Sequence, residues 1–151
     1  MANSYKREII ALVQQMKEDI GEEALCGLFE GSERVTSTRN IGCNQFREIA
    51  RECAYAECYE EIVLQIQYSQ AKSKPSESWK TRCLNGEAFG TVVTDYMERV
   101  RALCGEDAER ETLRVPIRLF FTYLYFQSRI WADSYRRKDQ KTPHRQFRRG
   151  Y

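Results

Sequence analysis

A chain of 151 residues, 42% hydrophobic and 30% charged, is long enough for one domain with a buried core. That apolar content, with aromatic residues along most of the length, excludes a disordered polymer. Only 8 Gly and 3 Pro are present, too few turn-formers for an all-β domain, and long helices joined by few loops are expected instead. The formal net charge of +2 is unevenly spread: residues 136–151 hold seven Lys/Arg and one Asp, which leaves 17 basic and 21 acidic side chains for the rest. A basic tail on a mildly acidic body implies either an anionic partner or a solubilising extension.

In chain order, the first helix is predicted from about Ser4, a possible N-cap, to Ile20. Ile9, Leu12, Val13, Met16 and Ile20 recur at helical spacing, and Gly21 ends the pattern. A short helix can follow over Glu22–Glu30, carrying Leu25, Leu28 and Phe29, and residues 31–43 read as a loop. A second helix of about 28 residues, roughly 40 Å long, is predicted from the N-cap Asn44 to near Lys72, because no Gly or Pro interrupts it. Ile62, Leu64, Ile66 and Tyr68 also alternate with period two, but their flanks favour a helix. Phe89, Val92, Val93, Tyr96, Met97, Val100 and Leu103 form the stripe of a third helix over Glu87–Leu103, with Gly105 as C-cap. A fourth, from Arg114 to Arg136, tolerates Pro116 in its first turn and is apolar on most sides, which suits a central or interface helix. The predicted fold is all-α, a helical bundle of four main helices and one short one. The division is a helical domain over 1–135 and a basic, mobile C-terminal tail over 136–151.

The polar start and the interruption of the first apolar segment by Lys17, Glu18 and Asp19 leave no signal-peptide core. Leu119–Phe126, the densest apolar run, is shorter than the roughly 20 residues a membrane helix needs. A cytoplasmic location without membrane contact is expected. Cys26, Cys43, Cys53, Cys58, Cys83 and Cys104 contain no CxxC pair and read as reduced, mostly buried hydrophobes, so neither a disulfide framework nor zinc is expected.

Catalytic chemistry finds little support. The only histidine, His144, lies in the tail between Pro143 and Arg145, and no nucleotide-binding or metalloprotease motif is present. Glu60-Glu61 and the run Glu106-Asp107-Glu109-Glu111 read as solvated helix faces. No enzyme activity, cofactor or metal is expected. Cations are the more informative group. Arg47 and Arg51 share a helix face, Arg34 and Arg39 precede it, Lys72, Lys74, Lys80 and Arg82 follow it, and Arg99 and Arg101 lie on the third helix. Such groups hold phosphate without reading sequence. The opposing possibility is that Arg47 pairs with Glu48 or Glu52.

The stretch Asn44-Gln45-Phe46-Arg47 opens a long helix after Thr36-Ser37-Thr38. Leu64-Gln65-Ile66-Gln67-Tyr68-Ser69-Gln70-Ala71-Lys72 follows, then Phe120-Phe121-Thr122-Tyr123-Leu124. In this order, over residues 36–135, the chain resembles the small helical subunit of type III-A CRISPR interference complexes. That family has a Ser-Gln-Ile-Arg-like helix start and a Leu-x-x-x-Leu-x-Tyr-x-x-x-Arg-like segment, and here Lys72 stands where arginine is common. The resemblance implies a non-catalytic subunit that stacks along the backbone of the complex beside other subunits and copies of itself. It would help hold the duplex of guide RNA and target RNA, mainly by the target strand. Carried over by motif, Arg47 and Lys72 would contact RNA, and proximity in sequence adds Arg39, Arg51 and Lys74. The alternative is a helical protein–protein adaptor or oligomerising scaffold that touches no nucleic acid.

Overall fold

The structure, a computed structural model, describes residues 2–29, 43–103 and 113–140, with side chains placed for 5–29, 43–103 and 115–135. Six α-helices form among them: α1 (Ala2–Ile20), α2 (Glu22–Phe29), α3 (Asn44–Cys53), α4 (Tyr59–Lys72), α5 (Phe89–Leu103) and α6 (Arg118–Gln140). No strand is present among the described residues, only a bridge between Arg82 and Ala88. The all-α class is as predicted. Among these residues no helix is long and apolar enough to cross a membrane.

The helix count exceeds the expected one because the long second helix is two helices. Ala54, Tyr55 and Ala56 still donate backbone bonds to Arg51 and Glu52 carbonyls, but Cys58 is extended (φ −150°, ψ 161°) and α4 begins afresh at Tyr59. The cause lies in the apolar phase. At 100° per residue, a helix continuing in step with Phe46, Ala50 and Cys53 would turn Glu57 into the core, where an unpaired carboxylate costs several kcal/mol. The break keeps Glu57 exposed and brings Ala56 and Tyr59 inward. Glu60 and Glu61 then occupy the first turn of α4, and Glu61 Oε1 accepts the Glu57 N–H at 2.7 Å. Acidic groups there suit the positive end of the helix dipole.

Other boundaries shift for local reasons. Asn44 is the first helical residue, not the N-cap. Cys43 precedes it already in the helical region (φ −55°, ψ −30°), without a side-chain cap. Ser4 falls inside α1, which starts at Ala2, and α5 starts at Phe89. A π-helical turn over Leu113–Ile117 contains Pro116 and leads into α6. At its other end α6 continues past Arg136 to Gln140. The expected mobile tail beyond Gln140, the 31–42 loop, Gly105 and Cys104 lie outside the described residues.

Most of the four stripes read from the sequence lies in the core, but Leu64 and Tyr68 of the second and Phe126 and Ile130 of the fourth are exposed. Ile9, Val13, Met16 and Ile20 of α1, the whole Phe89–Val100 stripe of α5, and Phe120, Phe121, Leu124 and Trp131 of α6 are buried. As predicted, α6 is central, packing on α1, α2 and α3. At the centre five rings from different elements meet. Phe29 lies 6.1 Å from Phe46, 6.1 Å from Phe89 and 5.8 Å from Trp131, and Trp79 lies 5.6 Å from Phe89. Trp79, on a short 3₁₀ turn (Ser78–Lys80), is anchored by its Nε1–H, which donates to Gln45 Oε1 at 3.1 Å.

Two glycines set close approaches. Gly21 ends α1 in the left-handed region (φ 85°), with Leu84 Cβ only 2.8 Å from where its own Cβ would stand. Leu84 is held there because its N–H and that of Asn85 donate to the Ile20 and Asp19 carbonyls, closing the end of α1. Gly90 lets α5 approach α4, since a methyl group there would run into the Gln70 side chain. Cys43, Cys53 and Cys83 are buried and Cys26 and Cys58 half-buried, and no disulfide joins any of them among the described residues.

Candidate nucleic-acid interface

The amphipathic pattern of α3 fixes its orientation. Phe46, Ala50 and Cys53 point to the core, so Arg47 and Arg51 fall on the flank that meets α6. There the small side chains of Ala50 and Ala54 leave an open groove of about 320 Å³. Arg47 and Arg51 line one wall, Arg118 and Thr122 the other, and Tyr55 its end. The helix break delivers Tyr55, which is 80% exposed. The structure thus brings Arg47 and Arg51 together and adds Arg118, a neighbour that no local pattern reveals.

Among the described residues no carboxylate compensates these guanidinium groups. Among the described residues none of the three forms an ion pair, in contrast to Arg101 of α5, which lies 3.8 Å from Glu98. Of the two proposed partners of Arg47, Glu52 forms no ion pair with it among the described residues, and Glu48 turns the other way and lines a separate groove with Gln45, Ile49, Gln65 and Trp79. Adjacent positions on a helix diverge by 100°, which is why Arg47 and Glu48 do not meet. Arg47 instead lies over the Tyr125 ring, 5.4 Å from its centroid, an arrangement that orients the charge without neutralising it. The Arg118 field also reaches Cys53 and favours its thiolate, but burial dominates and pushes that thiol up to about 12. Cys83 is raised to about 12 as well, chiefly by burial, so neither sulfur is a thiolate at neutral pH.

The remaining expected cations lie elsewhere. Lys72 closes α4 with its ammonium 5.0 Å from the centroid of Tyr68, and Lys74 follows it, exposed; neither lines the arginine groove. Arg34 and Arg39 fall outside the described residues. Arg99 and Arg101 cover the rings of Tyr96 and Tyr59 at 4.2 and 4.3 Å. A larger cavity, about 470 Å³ between α2 and residues 75–82, sets Glu23 and Glu77 against a single cation, Arg82, whose guanidinium already donates to the Gly86 carbonyl at 2.6 Å. It lacks a positive field. Among the described residues no group of three or more His, Cys, Asp or Glu could hold a metal ion. No protein-family model, curated protein or solved structure matches the chain.

Proposed function

We propose that this protein is a non-catalytic RNA-binding subunit that holds RNA by its phosphates in the α3–α6 groove. The observation that carries this reading is the convergence of Arg47, Arg51 and Arg118 on one open groove with no carboxylate in its wall. Tyr55, exposed at the end of that groove, offers a face on which an unstacked base can stack. The resemblance to small subunits of type III CRISPR interference complexes supplies the setting: a helical piece beside a guide RNA–target RNA duplex, among other subunits and copies of itself, in the cytoplasm. Lys72 and Lys74 would extend the path of the RNA beyond the groove, and Arg39 is a further RNA contact suggested by proximity in sequence.

Titrating the purified protein with RNA at several salt concentrations tests the reading. R47A/R51A should weaken binding by roughly tenfold per guanidinium, about equally for all sequences. It should also lower the salt slope by about 0.7 for each single-strand phosphate that is no longer neutralised. R118A should act in the same way, and E48A should leave binding intact or strengthen it. An unchanged slope in a folded R47A/R51A variant rejects the groove, and the absence of any RNA shift for the native chain leaves the adaptor reading.

Tyr55→Ala separates the ring from the charges. It should cost about 1–3 kcal/mol on single-stranded RNA and leave the salt slope unchanged. Equal affinity of Y55A and native protein for single strands would remove Tyr55 from the site while leaving the arginines in it.

A further inference from the structure

The outer face of α4 carries two large apolar side chains with no cover among the described residues. Leu64 is 66% and Tyr68 64% exposed, four positions apart on the side opposite the buried Tyr59, Ile62 and Ile66. On the same outward stripe the exposed Glu60 stands one turn before Leu64, and the exposed Lys72 one turn after Tyr68. Neither charge has an ion-pair partner among the described residues. They cannot meet each other, because twelve helical residues separate them by about 18 Å. Glu61, the other acid of that turn, is engaged by the Glu57 N–H. The stripe therefore reads acid, apolar, apolar, base at even intervals, and it is its own complement when reversed.

We propose that α4 is a self-association surface on which two copies of this chain pair antiparallel about a two-fold axis passing near Ile66. In that arrangement Leu64 of each copy meets Tyr68 of the other, and Glu60 of each meets Lys72 of the other. The cation over the Tyr68 ring already lies beside the apolar pair it would flank. The contact is isologous and closes on itself, unlike a row of stacked subunits, and none of its four residues lines the α3–α6 groove. It needs no RNA, and it shares only Lys72 with the proposed RNA path, so a paired chain would hold RNA without that residue. Two 14-residue helices bury less than roughly 1,000 Å², so the pair is weak and forms with rising concentration.

Sedimentation equilibrium of the full chain without RNA, from low to high micromolar concentration, tests this. The native protein should move from the mass of one chain toward that of two. E60K and K72E should each weaken pairing about tenfold or more, since each sets like charges opposite one another twice. The double variant E60K/K72E should restore it. So should an equimolar mixture of the two single variants, in which every 60–72 contact again joins opposite charges. L64A/Y68A should stay single throughout. All of these positions are exposed, so circular dichroism should show native folding in each variant. A native chain that remains single at every concentration overturns the proposal, and so does a double variant or a mixture that fails to regain the pairing. R47A/R51A should pair as the native chain does, which keeps this test separate from that of the groove.

Discussion

Replacing Phe89 by alanine should destabilise the protein by about 3–5 kcal/mol, more than any substitution on the α3–α6 groove or the outer face of α4. Phe89 is fully buried and touches Phe29, Phe46 and Trp79, at 6.1, 6.3 and 5.6 Å between ring centroids. Those partners come from α2, α3 and the 3₁₀ turn, so the ring is the common contact of three elements that share no local sequence. Its loss removes the transfer free energy of a phenyl group and opens a void walled by three stiff rings that cannot collapse into it. Thermal unfolding should show a fall in Tm of about 6–20 °C, from about 2–4 °C per kcal/mol for a domain of this size. Phe89→Leu, which keeps most of the volume, should recover more than half of the loss. A Tm within two or three degrees of native for F89A would mean that the five-ring cluster is not the stabilising centre.

Gly21→Ala should cost about 2–5 kcal/mol, from two separable causes. A side chain in the left-handed region costs about 1–2 kcal/mol, and steric overpacking about 1–3 kcal/mol. The steric part arises because Leu84 Cβ stands 2.8 Å from the new methyl group and cannot retreat without breaking the Leu84 N–H bond to Ile20. Denaturant unfolding of G21A, L84G and the double variant separates the two. Leu84 is 77% exposed, so L84G alone should cost little. In the double variant the steric part should vanish and only the backbone part remain. If the two substitutions were simply additive, the close approach of Leu84 would not contribute.

The elements legible in the sequence are those whose apolar period is long and uninterrupted. The α1 stripe of Ile9, Val13, Met16 and Ile20 and the α5 stripe from Phe89 to Val100 are buried as predicted. The α3–α4 break is hidden from a reading by residue type, because Ala54, Tyr55, Ala56 and Glu57 include no Gly or Pro. The shift of the inward positions between Cys53 and Tyr59 is the signal that a reading by phase would use. For the candidate site, the i, i+4 relation of Arg47 and Arg51 is legible because it lies within one helix. Arg118 is not, since periodicity specifies which face a residue occupies but not which distant helix comes to lie beside it. Tyr55 escapes for a related reason. Within a continuous helix it is one more exposed side chain, and only the break makes it the end wall of a groove.

That break also decides which half of an ambiguous segment becomes surface. Ile62 and Ile66 form one apolar edge of α4, and Leu64 and Tyr68 form another, nearly opposite. A helix running unbroken from Asn44 would, at 100° per residue, rotate Leu64 and Tyr68 toward the interior and leave Ile62 and Ile66 facing out. The period-two alternation of this segment is thus the mark of a helix with two interchangeable insides. The five residues from Ala54 to Cys58 act as a clutch between the two settings: one residue more or fewer inside α4 turns the following face by 100°, whereas the same change in the connection can be taken up without rotation. Insertions should therefore be tolerated between Cys53 and Tyr59 and rejected on either side. The face that α4 turns outward follows from the presence of the break before it, not from the number of residues in that break.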